Sequence, residues 1–164
     1  MNADAFRYFY GYHFAENRKI WDQYVVPLTE EQFTRPAHYS HGSVRDQVIH
    51  LMNVDEAWFG GLRGVELPEQ PDPAHFADRD SMRLHWDNIE QEMHAYLASL
   101  RDEMLFTKPF AGGEDKDLIL WQVLLHVVNH GTDHRAQILR LLNDLGVETK
   151  YQDYIFYVYE HPTI

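Results

Sequence analysis

The chain contains no cysteine. That excludes disulfides and thiolate metal sites, so any metal has to be held by nitrogen and oxygen, and any thiol chemistry has to use a thiol from another molecule. Cations are scarce: 14 Lys and Arg stand against 26 Asp and Glu, a net charge of −12 with histidine neutral. A surface of that sign repels a phosphate backbone, which argues against nucleic acid as a partner. Long apolar runs are also missing. No segment approaches the ~18 residues of a membrane span, and the opening "MNADAFRYFY" has no basic end ahead of an apolar stretch. These absences point to a cytoplasmic protein that binds neither membrane nor nucleic acid.

What is present is enough for one sizeable core. Residues 1–164 suit a single domain, hydrophobic residues make up 45% of it, and the aromatic load includes 10 Tyr and 9 Phe. Four stretches carry a helical period, and the strand signal is weak. The first runs from about Asp4 to Val26, with Phe6, Tyr10, His13, Asn17, Ile20 and Tyr24 recurring at spacings of four and three. The second starts at a capping box of Ser43 and Asp46 and runs to about Leu62, where "GGLRG" ends it. His50, Val54, Ala57 and Gly61 share one of its faces. The third spans about Ser81 to Met104, on a stripe of Met82, Trp86, Ile89, Met93, Tyr96 and Leu100. The fourth spans about Leu118 to Leu145, with Gly146 placed to cap it.

Between these helices lie the proline-rich "ELPEQPDP" and the loop "FTKPFAGGEDKD", in which a short hairpin across Gly112 and Gly113 is one reading. An aromatic tail, "YQDYIFYVYEHP", follows the last helix as a short segment packed on the rest. The expected fold is all-α: a four-helix bundle with long connections and a short C-terminal segment.

Eleven histidines in 164 residues is a high load, and three of them stand at successive spacings of four in "HVVNHGTDH". Chance alone supplies roughly 0.7 pairs at that spacing, but a consecutive triple only about a few times in a hundred. The seam of the fourth helix is Leu120, Val123, Val127, Gly131, His134, Ile138, Leu141 and Leu145. His134 sits on that seam, His130 about 40° to one side, and His126 about 40° further out, towards the rim. His130 and His134 are one turn apart, so their rings can converge on one ion. A third ligand has to come from another helix, and His50 is the best placed; His13 and His85 lie on or near other stripes. The competing reading is a set of core histidines hydrogen-bonded to protein groups. Gly131 leaves room for a facing helix to come close.

"HVVNHGTDHRAQI", together with the upstream "GSVRDQVIHLMNVDEAWFGGLRG", resembles the DinB family of damage-inducible, metal-dependent proteins. This is the YfiT-like four-helix-bundle superfamily, distinct from the translesion polymerase that shares the name. The resemblance covers essentially the whole chain, with the first helix matching only loosely. It implies a divalent metal on three histidines, one on the second helix and two on the last, which map onto His50, His130 and His134. His126 matches a histidine common in the motif that is not usually a ligand. Asp133 stands where many members have His or Tyr, and Ala136 where many have Gly; these departures bear on substrate contacts.

The resemblance further implies a metal-dependent enzyme and a bacterial homodimer acting on a small molecule. The reaction is either S-transfer from a small thiol such as bacillithiol, mycothiol or glutathione, or hydrolysis. The alternative is a non-enzymatic, metal-stabilised binding protein. An all-imidazole site suits zinc, nickel or iron alike. Gln137 and Asp133, on the flank of the fourth helix that faces the metal, are candidates to orient a ligand or touch substrate. His13 and Asn17, polar residues on a buried stripe, either line the pocket or hydrogen-bond within the core. Glu56, well off the His50 face, is expected in a salt bridge.

Overall fold

In a computed structural model, which describes residues 1–65 and 73–162, the protein is all-helical, with no strand among the described residues. The longest elements are α1 (Ala3–Ile20), α3 (Val44–Arg63), α4 (Arg79–Ser99) and α5 (Leu120–Asp144); α1 and α3 each pack against both α4 and α5. Two short helices, α2 (Glu30–Thr34) and α6 (Tyr154–Glu160), stand beside them. All but the last residue of the proline-rich "ELPEQPDP" lies outside the described residues.

Helix ends follow local chemistry. The Ser43–Asp46 box opens α3: the Ser43 hydroxyl accepts from the Asp46 amide at 3.2 Å and the Asp46 carboxylate from the Ser43 amide at 3.0 Å. Gly146, at φ +80°, closes α5; its amide bonds to the Asn143 carbonyl and the Val147 amide to that of Leu142. Other ends depart from the periodic reading. The α1 register stops at Ile20 and continues as a π-helical turn, Trp21–Val25, whose extra residue lets Trp21, Tyr24 and Val25 all reach the core ahead of Pro27. The third helix ends at Ser99, not Met104. Leu100 turns extended with its amide bonded to the Leu97 carbonyl, and the Arg7 guanidinium donates to that carbonyl and to that of Leu100; the chain then forms a 3-10 turn, Asp102–Phe106. The glycine pair carries no hairpin: Glu114–Asp117 is a 3-10 turn.

Burial bears out the stripes of α1, α4 and α5 apart from their half-buried Tyr96 and Leu145, and shifts that of α3. The buried face of α3 is Val44, Val48, Leu51, Asp55 and Phe59, while His50, Val54, Ala57 and Gly61 lie half-buried along its flank. The offset arises because a carboxylate, Asp55, occupies a core position that hydrophobic patterning assigns to apolar residues.

Asp55 is buried for a reason. Its Oδ2 lies 3.1 Å from Nε2 of the fully buried His13, and His13 Nδ1 lies 3.2 Å from the guanidinium of the fully buried Arg135. Arginine can only donate, so Nδ1 accepts and Nε2 carries the proton that it donates to Asp55. His13 is thus a neutral bridge between a buried cation on α5 and a buried anion on α3. Asn17 accepts a second Arg135 N–H at 2.8 Å, and Thr132 and Gln152 accept others. A Cβ at Gly131 would come within 2.5 Å of the His13 ring, so glycine is what admits the bridge. His13 and Asn17 therefore hydrogen-bond within the core. The tail packs as α6, with Tyr154 and Tyr157 edge-on to Tyr8 and Tyr12 of α1.

Asp55→Ala strands a buried cation and an imidazole N–H, and is expected to lower stability by about 3–5 kcal/mol in urea unfolding, whereas the exposed Glu103→Ala should leave the unfolding curve nearly unchanged. A loss below about 1 kcal/mol for Asp55→Ala would contradict the bridge.

Candidate metal centre

Four imidazoles gather between α3, α5 and the loop ahead of α3. Nitrogens of His41, His50 and His134 lie within 4.8 Å of one another, a group that could hold a metal ion. His130 joins through its Nε2, 3.3 Å from Nε2 of His50. The His130 and His134 rings are 4.2 Å apart, and those of His50 and His134 4.5 Å. Exposure along α5 rises in the order of the helical wheel: His134 is buried, His130 half-buried and His126 exposed.

His41 lies in a loop that folds back over α3. A turn from Tyr39 to Gly42, with Ser40 at φ +49°, lays its ring on His50 at 3.6 Å with the planes 15° apart. An imidazole lone pair lies in the ring plane, so two stacked rings cannot aim at one point. His130 is tilted 52° to His50 and 36° to His134, an arrangement that lets in-plane lone pairs converge. On this geometry His41 supports the His50 ring, and its proximity alone overstates it as a ligand.

Donor chemistry fits an ion. Two nitrogens bound to a tetrahedral metal at about 2.0–2.1 Å are roughly 3.3–3.4 Å apart, which matches the His50–His130 separation. His130 Nδ1, the nitrogen that does not face His50, is buried without a hydrogen-bond partner among the described residues.

His134 is held by a relay that pattern reading missed in part. The Asp133 carboxylate accepts from Gln137 Nε2 at 3.0 Å, Gln137 Oε1 accepts from Gln47 Nε2 at 3.3 Å, and Gln47 Oε1 faces His134 Nδ1 at 3.2 Å. The carboxylate fixes the direction of every amide along the chain. His134 Nδ1 must carry the proton, and Nε2 is left with its lone pair. Gln47 is fully buried and one turn before His50; that i, i+3 spacing was the signal for it. Glu56 faces away, towards His85 of α4 at 3.3 Å, and His126 stands edge-on to Trp58 at the rim.

Crowding keeps the cluster neutral. Burial first, then the neighbouring imidazoles, push His50 down to about 4 and His130 down to about 3, and His134 is also lowered. In the unfolded chain the same groups titrate near about 6.5, so below that pH the unfolded state binds more protons. Metal-free protein is therefore expected to lose stability as pH falls from about 6.5 towards 4, with the full contribution present above about 6.5. The urea midpoint between pH 6.5 and 5 should fall less steeply in the His50→Asn/His130→Asn double variant; equal slopes would contradict the neutral cluster.

A model of the DinB family matches residues 1–163. No curated protein matches the chain.

Proposed function

The chain belongs to the DinB family, and from that premise we propose that it is a divalent-metal-dependent enzyme on a small-molecule substrate, a small-thiol S-transferase or a hydrolase, with His50, His130 and His134 as the metal ligands. The observation that carries this reading is the close approach of tilted imidazoles from two helices, with Nε2 atoms of His50 and His130 3.3 Å apart. Three protein ligands leave coordination positions for water or substrate, whereas closed structural sites use four. Such an ion, when bound, supplies Lewis acidity, polarising a carbonyl or favouring ionisation of a thiol or a water.

The chain's own groups do the positioning. α5 presents His130 and His134 one turn apart, α3 presents His50 across from them, and Gln47 holds His134 in the tautomer with Nε2 free. His41 backs the His50 ring and limits its rotation. With no cysteine in the chain, a thiol nucleophile is brought by the cosubstrate. All-nitrogen donors suit zinc, nickel or iron.

Tag-free protein loaded with Zn2+ and dialysed should hold about one ion per chain, and so should His41→Ala; His50→Ala and His130→Ala should not. Wild type without stoichiometric metal would overturn the reading. Retention by His130→Ala with loss in His41→Ala would move the ligand set to His41, His50 and His134. Metal-loaded protein that turns over no thiol–electrophile pair and no ester or amide would instead identify a metal-stabilised binding protein. Gln47→Leu is expected to weaken metal affinity by about 10–100-fold, read by competition with a chelating dye; unchanged affinity would remove Gln47 from the positioning relay.

A further inference from the structure

The outer face of α5 carries a feature the ligand set does not use. A cavity of about 670 Å3 runs along it, walled by Phe9 and Tyr12 of α1, Tyr154 of α6, and Trp121 and Leu125 of α5 itself. A second, of about 560 Å3, lies further along the helix and is lined by His130. The two share His126, Asn129 and Thr132, so they adjoin along the helix, an open trough whose ends are the aromatic wall and His130 at the rim of the histidine cluster. The larger basin lies within the usual range of about 300–1,000 Å3 for small-molecule sites.

The walls are aromatic and pre-formed. The Phe9 and Tyr12 rings lie parallel within 8°, and Tyr154 stands edge-on to both. Tyr12 is pinned by its hydroxyl to the Gln152 carbonyl, so the wall does not have to be ordered by a ligand. Charge sets the other half of the selectivity. Among the described residues no lysine or arginine lines either basin, while Asp153 lines the first and Asp133 the second, on a chain of net charge −12. An anion there would meet two carboxylates, and the cation behind the wall, Arg135, is fully buried with its N–H groups taken by Thr132, Gln152, Asn17 and His13; an aromatic cation would meet apolar ring surface and carboxylates.

We propose that this trough seats the aromatic, uncharged or cationic body of the substrate, with its reacting end at His130. The proposal rests on the metal-enzyme reading for what happens at His130, but not for binding in the trough. An acidic thiol such as glutathione does not fit the trough, which makes it the seat of the partner that the thiol or water attacks.

Calorimetric titration of metal-free protein with three probes sharing one ring system separates the claims: 1-naphthylmethylamine, 1-naphthylmethanol and 1-naphthoate. The amine and the alcohol should bind, the naphthoate at least tenfold more weakly. Asn129→Trp, at an exposed position where the two basins join, should weaken the amine at least tenfold without lowering the melting temperature. Asp153→Lys should narrow the gap between amine and naphthoate. Equal binding of naphthoate, no binding of any probe, or full binding by Asn129→Trp would overturn the trough. In Co2+-loaded protein the amine should perturb the visible spectrum; binding with an unchanged spectrum would overturn the placement of the reacting end at His130. Failure of the wild type to take up Co2+ at all would instead count against the metal-enzyme reading, leaving the metal-free titrations to decide the trough.

Discussion

Arg135, His13 and Asp55 place two full charges where no water reaches them, and the position of the histidine cluster depends on how that cost is met. Each isolated charge would cost several kcal/mol to bury. The cost is offset because the two charges have opposite sign, a neutral imidazole joins them, and Asn17, Thr132 and Gln152 take further guanidinium N–H groups. The bridge ties α1, α3 and α5 together within one turn of His134, since Arg135 follows it directly and Gly131 stands one turn before. A bridge of this kind has direction and length, which apolar packing alone lacks. It therefore sets the separation of α3 and α5 at the level where His50 meets His130.

From that separation the rest of the site follows. The buried Gln47 spans the same gap, and its amide can satisfy both partners in only one orientation. That orientation fixes the His134 tautomer. The crowding that lowers the imidazole pKa values keeps the nitrogens available as lone pairs at neutral pH. The polar core of α1, which looks at first like a packing fault in an apolar stripe, is the other end of this arrangement.

Much of this was legible in the sequence. The α1, α4 and α5 stripes, the Ser43–Asp46 box, the Gly146 cap and the graded burial of His134, His130 and His126 all follow from spacing of three and four residues, because each is a local property of one helix. The α3 register was not legible, since Asp55 is acceptable in the core only when His13 and Arg135, 42 and 80 residues away, are there to meet it. The ends of α1 and α4 were set by Trp21, Tyr24 and Arg7, through packing and capping between elements. His41 was hidden for a similar reason: a loop residue has no period, and only the turn at Ser40 and Gly42 brings it onto His50. The candidate site residues that patterning found are those on long helices, and those it missed make their contacts across a gap between segments.

The central claim is that three helix-borne imidazoles, and not the loop histidine, hold the ion. X-ray absorption at the metal edge of Zn2+-loaded, tag-free protein addresses it most directly, because outer-shell scattering counts imidazole rings. Three imidazoles at about 2.0–2.1 Å with at least one further oxygen donor, and a spectrum unchanged by His41→Ala, is the predicted result. Four imidazoles in the wild type, falling to three in His41→Ala, would contradict it.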